Sequence, residues 1–255
     1  MIDLHCHVLP GIDDGPKTIA GSLALARAAA DAGVRTLVAT PHVSWHHQND
    51  AEAIGGLVEE LRALLGAEGV ELELRAGAEV AMTRIDELDD AELARLRLGG
   101  GEWLLLEPPF SPIVTGLQEI AQEVRRRGNR VLLAHPERCP AFHRDPRMLG
   151  SLVRSGVLTS ITAGSLVGRF GGTVRRFALR LVQEQLVHNV ASDAHDLADR
   201  APGIAAELEQ AGLVPLQEWL TEAIPAAILD GGPIPARPAL ASSGARQPRR
   251  LRLRR

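Results

Sequence analysis

Apolar residues fall along this chain in short solid runs, and the stretches between the runs carry helical spacing. Ile2–His5, Thr36–Thr40, Val70–Glu79, Trp103–Glu107, Val131–His135, Val157–Thr162 and Val187–Ser192 read as seven buried strands. Thr36–Thr40, Trp103–Glu107 and Val131–His135 are near-continuous apolar runs, the mark of strands covered on both faces. Lys17–Ala32, Glu52–Gly66, Gln118–Arg127, Thr173–Gln185 and Ile204–Ala211 place apolar residues three and four apart, the pattern of helices with one buried face. Gly33 and Gly128 follow two of them, where a left-handed residue ends a helix. Strands alternating with helices predict a parallel sheet with crossover helices, and seven such strands predict a closed α/β barrel. The pattern stops after Leu229 in a Gly/Pro-rich stretch followed by an arginine run. One domain over residues 1–235 and a disordered Arg-rich tail over 236–255 are expected.

Composition narrows the class. The chain has 255 residues, 45% hydrophobic and 24% charged, enough for one large core and too apolar for disorder over most of its length. No apolar run approaches the roughly 20 residues that span a bilayer. The opening Met1-Ile2-Asp3-Leu4-His5 has neither the basic nor the apolar region of a signal peptide, so a cytoplasmic protein is expected. Cys6 and Cys139 are the only cysteines, which excludes a disulfide framework. The formal net charge is −4, yet six arginines and no acid lie in Arg246–Arg255, so the body alone is near −10. An acidic body argues against nucleic acid as a partner. The tail reads most simply as a solvated terminus; electrostatically it also suits an acidic partner or an anionic membrane surface.

The candidate chemistry sits at the strand ends. His5 and His7 close the first strand as His-x-His, two residues apart and so on one face. His42 follows the second strand, Glu79 ends the third, Glu107 the fourth and His135 the fifth, and Asp193 and His195 follow the last. Asp14 lies on the first of these loops. Residues directly after the strands of a parallel barrel converge on its C-terminal rim, where active sites of such barrels are built. Each residue alone would be an ordinary hydrogen-bonded or solvated side chain. Together, imidazoles and carboxylates packed into one place carry a desolvation and repulsion cost that a cation removes. The N/O ligand set suits manganese, iron or zinc, and its size exceeds one ion's needs. Cys6 points away from His5 and His7, into the core.

Residues 1–16, Met-Ile-Asp-Leu-His-Cys-His-Val-Leu-Pro-Gly-Ile-Asp-Asp-Gly-Pro, closely resemble the opening signature of bacterial PHP-domain (polymerase and histidinol phosphatase) protein-tyrosine phosphatases of capsule and exopolysaccharide operons. Ala39-Thr40-Pro41-His42, Ala134-His135-Pro136-Glu137-Arg138 and Ser192-Asp193-Ala194-His195 match further blocks in the same order, and the resemblance extends to about residue 230. It implies a distorted (β/α)7 barrel with two or three metal ions, usually manganese, held by His5, His7, Asp14, His42, Glu79, Glu107, His135, Asp193 and His195. It implies that Arg138 and Arg200 bind the phosphoryl group, and that the substrate is phosphotyrosine on a membrane-associated tyrosine kinase controlling polysaccharide export. Two features depart from it: Cys139 stands where relatives commonly have an aromatic residue, and the arginine tail is foreign to the pattern. The chain has no tyrosine, which agrees with a partner supplying the phosphotyrosine.

In that reading, hydroxide bridging the metals attacks phosphorus while the ions and both arginines neutralise the phosphoryl oxygens. A phenol of pKa near 10 leaves readily, and any proton it needs comes from metal-bound water, Asp14 or His42. A thiolate route is disfavoured, because it requires an arginine six residues after the nucleophile; Ile12 and Asp145 occupy those positions. The alternatives are a PHP phosphatase for a small ester such as histidinol phosphate, a phosphodiesterase or nuclease, and a non-catalytic metal-binding regulatory subunit.

Overall fold

The strands β1 (Ile2–Cys6), β2 (Thr36–Ala39), β3 (His42–Val43), β4 (Glu73–Ala76), β5 (Glu79–Ala81), β6 (Trp103–Glu107), β7 (Arg130–Ala134), β8 (Leu158–Thr162) and β9 (Asn189–Ala191) form the wall of the computed structural model, which describes residues 1–239. All pairings are parallel, in the orders β1-β2-β4 and β3-β5-β6-β7-β8-β9. The two sheets are one wall. β2 and β3 are pieces of one extended run broken at Thr40-Pro41, where the proline has no N–H for the ladder. β4 and β5 are pieces of another, broken at Gly77-Ala78. Thr40 N donates to Cys6 O (2.9 Å) and Glu79 N to Pro41 O (3.1 Å), carrying the hydrogen bonding across the step. β9 returns to β1 through Asp193 N to His5 O (2.8 Å) and His7 N to Ala194 O (2.9 Å). Seven wall positions therefore close into a distorted (β/α)7 barrel.

The continuous strand expected over Val70–Glu79 is thus corrected. The chain must step sideways at Gly77, which lies so close to the neighbouring elements that a Cβ there would stand 2.9 Å from Val38 Cγ1 and 3.3 Å from the Leu98 backbone. Glu79 opens the second piece rather than ending a single strand.

Ten helices pack outside and between the strands among the described residues: α1 (Ile19–Asp31), α2 (Ala51–Ala67), α3 (Asp90–Arg95), α4 (Leu117–Arg126), α5 (Pro140–Arg144), α6 (Pro146–Arg154), α7 (Ala163–Val167), α8 (Gly172–Gln183), α9 (Ala205–Gln210) and α10 (Ile224–Asp230). α1 begins at Ile19 and not Lys17, because the Thr18 hydroxyl caps it by accepting from Gly21 N. It buries Ser22, Leu25, Ala26 and Ala29, while α2 buries Ile54, Val58, Leu61 and Leu65, the stripes the apolar spacing predicts. α3, α5, α6, α7 and α10 were not foreseen; five to nine residues leave a period little room to emerge, and of the helices this short only α9 was anticipated. Trp103 and Trp219 are core residues. His143 Nε2 meets Glu137 O at 2.6 Å, and His188 Nδ1 accepts from Thr159 N at 3.2 Å, so both histidines are structural.

Contacts with the body run past the expected boundary at 235. Trp219 Nε1 donates to Pro235 O (3.0 Å), and the Arg237 guanidinium lies 5.8 Å from the Trp219 ring centroid. Residues 240–255, most of the expected tail, lie outside the described residues. Among the described residues no helix is long and apolar enough to cross a membrane.

Gly77→Ala is expected to cost about 1–3 kcal/mol, the usual range for overpacking a closed site. Urea unfolding of the variant against the parent chain checks this.

Candidate metal centre

The break in the wall sets Glu79 at the middle of the barrel mouth. Its carboxylate is buried, and Oε2 lies 3.2 Å from His5 Nε2, 3.3 Å from His7 Nε2 and 3.1 Å from His42 Nδ1, while Oε1 lies 2.7 Å from His135 Nε2. Register explains the meeting: His42 pairs with Glu79 on adjacent strands, so β3 and β5 present them side by side. His5 and His7 project the same way from the end of β1, with their Nε2 atoms 3.1 Å apart.

The remaining expected residues close around this carboxylate. Glu107, ending β6, brings Oε2 within 3.8 Å of His42 Nδ1 and Oε1 within 3.9 Å of His135 Nε2. Asp193 Oδ1 lies 3.4 Å from His5 Nε2 and 3.6 Å from His7 Nε2. Asp14 Oδ1 lies 3.2 Å from His195 Nε2 and 3.6 Å from His42 Nε2, with its side chain 50% exposed at the mouth. Four overlapping groups result: His7, Asp14, His42 and His195; His5, His7 and Asp193; His5, Glu79 and His135; His42, Glu79 and Glu107. All nine residues expected from the strand ends belong to at least one group.

Two of them carry backbone strain. His135 (φ +28°) and Asp193 (φ +51°) occupy the left-handed region that non-glycine residues rarely adopt. His135 directly follows β7 and Asp193 lies two residues past the end of β9, and each turns its side chain into the mouth. Strain of this kind persists where surrounding structure over-determines it, and it clusters at functional sites.

Arg138 and Arg200 both reach the Asp193 carboxylate. Arg138 Nη1 pairs with Asp193 Oδ2, and Arg200 Nη2 donates to the same oxygen at 2.8 Å. Burial alone would raise the Asp193 pKa; the His5, Arg200 and Arg138 charges outweigh it and hold the carboxyl well below the carboxylate range. Arg200 Nε is buried and has no hydrogen-bond partner among the described residues. Arg138 lies between two phenylalanines, its Cζ 5.4 Å from the Phe110 ring and 4.5 Å from the Phe170 ring.

Sequence reasoning missed the residues that brace the centre. Asp13, fully enclosed beside the exposed Asp14, accepts from His7 Nδ1 (2.7 Å), His42 N (3.1 Å) and Gly15 N (2.9 Å). Gly15 is required there, since a Cβ would stand 2.3 Å from His7 O. Asp-Asp-Gly signalled a turn with an acid in it, but not which acid faces which way. Asp3 Oδ1 ties β1 to β9 by accepting from His5 N (3.2 Å) and Ser192 N (3.1 Å). Glu137 Oε1 accepts from Thr162 N (2.9 Å) and Ser165 Oγ (2.7 Å), fixing the β8 end. Cys6 is buried in the wall as expected, and Cys139 is buried with its thiol 3.4 Å from Pro109 O.

The donor set fits cations. Glu79 Oε2, Asp193 Oδ1, His195 Nε2 and His135 Nδ1 are buried without a hydrogen-bond partner among the described residues. Such orphans are rare unless an ion or water completes them. Without a metal, protons take up the conflict. Burial pushes His7 down, but hydrogen bonds to Asp13 and Glu79 outweigh it and raise the ring to about 10. Burial, and then the Glu79 charge, raise Glu107 above the ordinary carboxylate range. Burial lowers His42 to about 4 and lowers His135 and His195, leaving these three neutral and competent as ligands at neutral pH.

A family model described as capsular polysaccharide synthesis, CpsB/CapC, matches residues 1–211. Tyrosine-protein phosphatase YwqE of Bacillus subtilis is 37% identical over 201 residues, spanning 78% of this chain and 79% of that protein. Tyrosine-protein phosphatase CpsB of Streptococcus pneumoniae is 30% identical over 213 residues, spanning 79% and 86%. A crystal structure from the work on YwqE and CpsB, described there as unique metal-dependent tyrosine phosphatases, superposes with a TM-score of 0.82 at 32% identity, covering 94% of this chain and 100% of its own.

Two outcomes follow from the site. Asp13→Asn replaces one of the two acceptor oxygens by an NH2, set either against the Gly15 N–H or against the His42 N–H and His7 Nδ1, and is expected to weaken manganese binding about 10- to 100-fold, as read by calorimetry. Groups whose pKa exceeds 7 carry protons that a cation must displace, so manganese affinity should rise from pH 6 to pH 9 with net proton release. Calorimetry in buffers of different ionisation enthalpy measures that release.

Proposed function

Because the chain belongs to the CpsB/CapC family of capsular polysaccharide synthesis, we propose that it is a metal-dependent protein-tyrosine phosphatase acting on the phosphotyrosines of a membrane-associated kinase that regulates polysaccharide export. The observation that carries this reading is the set of unpartnered buried N and O atoms around Glu79, with two arginines at its edge. The relatives' activity, as their names give it, is of the same kind.

His5, His7, Asp14, His42, Glu79, Glu107, His135, Asp193 and His195 would hold the ions, and both oxygens of Glu79 face imidazoles of this set. Two or three manganese ions fit the four overlapping groups, with iron or zinc as alternatives. When bound, such ions supply a deprotonated water at neutral pH and positive charge for the phosphoryl oxygens. The chain's own residues do the rest. Arg200 offers its free Nε–H, and Arg138 is held in place by Asp193 and flanked by rings, so both donors meet the phosphoryl group already oriented. Asp14 is held ionised, its burial outweighed by His195 and the neighbouring imidazoles, and His42 is neutral at pH 7. Both therefore serve as ligands rather than as proton donors. A phenolate needs little protonation to leave. The same reading has the protein act in the cytoplasm, in keeping with two free buried cysteines.

The test is hydrolysis of a phosphotyrosyl peptide by manganese-loaded protein, with chelator and histidinol-phosphate arms. Peptide turnover abolished by chelator and restored by manganese is expected. Turnover of histidinol phosphate alone would reassign the substrate, and silence in all arms with metal bound would leave a regulatory subunit. Arg138→Ala and Arg200→Ala are each expected to lower kcat/KM by about 10²–10³, with manganese content by elemental analysis unchanged.

A further inference from the structure

The chain holds seven aromatic side chains, three Trp and four Phe. Trp103, Phe142, Phe177 and Trp219 are buried in the core, and Phe170 is half-buried against Arg138. Only Trp45 (54% exposed) and Phe110 (52% exposed) present a large face to solvent. Both line the same cavity of about 460 Å³, together with His42, Glu107, Pro109 and Met82. Core packing does not account for either residue. Their shared cavity opens onto two of the groups that crowd the centre.

Phe110 is built into place. Pro108 and Pro109 precede it and restrict the backbone, and the Cys139 thiol donates to Pro109 O. Its ring stacks on His135, centroids 5.5 Å apart at 28°, and the Arg138 guanidinium lies 5.4 Å from its centroid. The ring is thus braced by a residue of the centre and bordered by a phosphoryl-binding arginine, with its remaining surface toward the cavity. An ester whose phosphoryl group meets Arg138 and Arg200 sets its leaving group beside that ring. An aryl group can stack there in the offset geometry aromatic pairs prefer, whereas an alkyl group cannot. Cys139, at the position where the resemblance leads one to look for an aromatic residue, is turned inward; the ring at the mouth comes from the loop after β6 instead.

We infer that Phe110 is the specificity-determining residue of this site: its ring is the platform on which the substrate's phenyl ring stacks, and it selects aryl over alkyl phosphomonoesters. This rests on the phosphatase reading and adds to it which residue reads the leaving group.

The experiment is calorimetric binding of phenylphosphonate and methylphosphonate, neither of which is hydrolysed, to manganese-loaded parent protein, Phe110→Leu and Phe110→Tyr. Manganese content and circular dichroism are recorded for each. The parent is expected to favour phenylphosphonate about tenfold, a preference built from ring stacking and burial. Phe110→Leu should bring the ratio near one while leaving methylphosphonate affinity in place, and Phe110→Tyr should retain the preference. A leucine variant that keeps the preference, or one that loses both ligands equally, overturns the proposal. A parent that binds both equally overturns it while leaving the phosphatase reading intact. A parent that binds neither and hydrolyses no phosphotyrosyl peptide removes both.

Discussion

One buried carboxylate governs this molecule. Glu79 has no access to bulk water and is surrounded by His5, His7, His42 and His135. A charge so placed is tolerable only when the groups around it hold complementary charge at short range. Protons can supply that charge, and His7 shows the strain of doing so. Cations supply it better, because they also satisfy the orphaned atoms of Asp193, His195 and His135. Arg138 and Arg200 belong to the same balance: together with His5 they offset the burial of a second acid of the centre, Asp193.

The barrel is distorted in the places this balance requires. The interruptions at Thr40-Pro41 and Gly77-Ala78 shift β3 and β5 relative to β2 and β4, so that His42 and Glu79 face each other in register. The strained backbones at His135 and Asp193 turn two further groups inward. The participants run from residue 5 to residue 195, and they meet only once β9 has returned to β1. Whatever binds there therefore links the first strand to the last, and its binding energy is also stability of the closed barrel.

Much of this was legible in the sequence because chemistry and architecture leave separate marks. Short apolar-rich segments alternating with helical stretches marked seven wall positions, and ionisable residues at or just after their ends marked the mouth. What stayed hidden depends on local steps in the backbone. Val70–Glu79 reads as one strand, since only packing against Val38 and Leu98 reveals why the chain must shift at Gly77. Asp13 and Asp14 are chemically identical neighbours, and the turn alone decides that one braces His7 from behind while the other faces the mouth. Phe110 was silent because a single phenylalanine after two prolines carries no periodic signal; its meaning comes from His135 and Arg138, which are distant in sequence. All the short helices but α9 escaped, for want of length.

Trp45 has an optical consequence. A chain with no tyrosine emits only through its three tryptophans, and two of these, Trp103 and Trp219, are enclosed in the core. The third stands at the lip of the cavity, with the Arg84 guanidinium 5.2 Å from its ring. Solvent-sensitive fluorescence from this protein is therefore dominated by a single ring at the entrance, a reporter that needs no label and no change to the polypeptide.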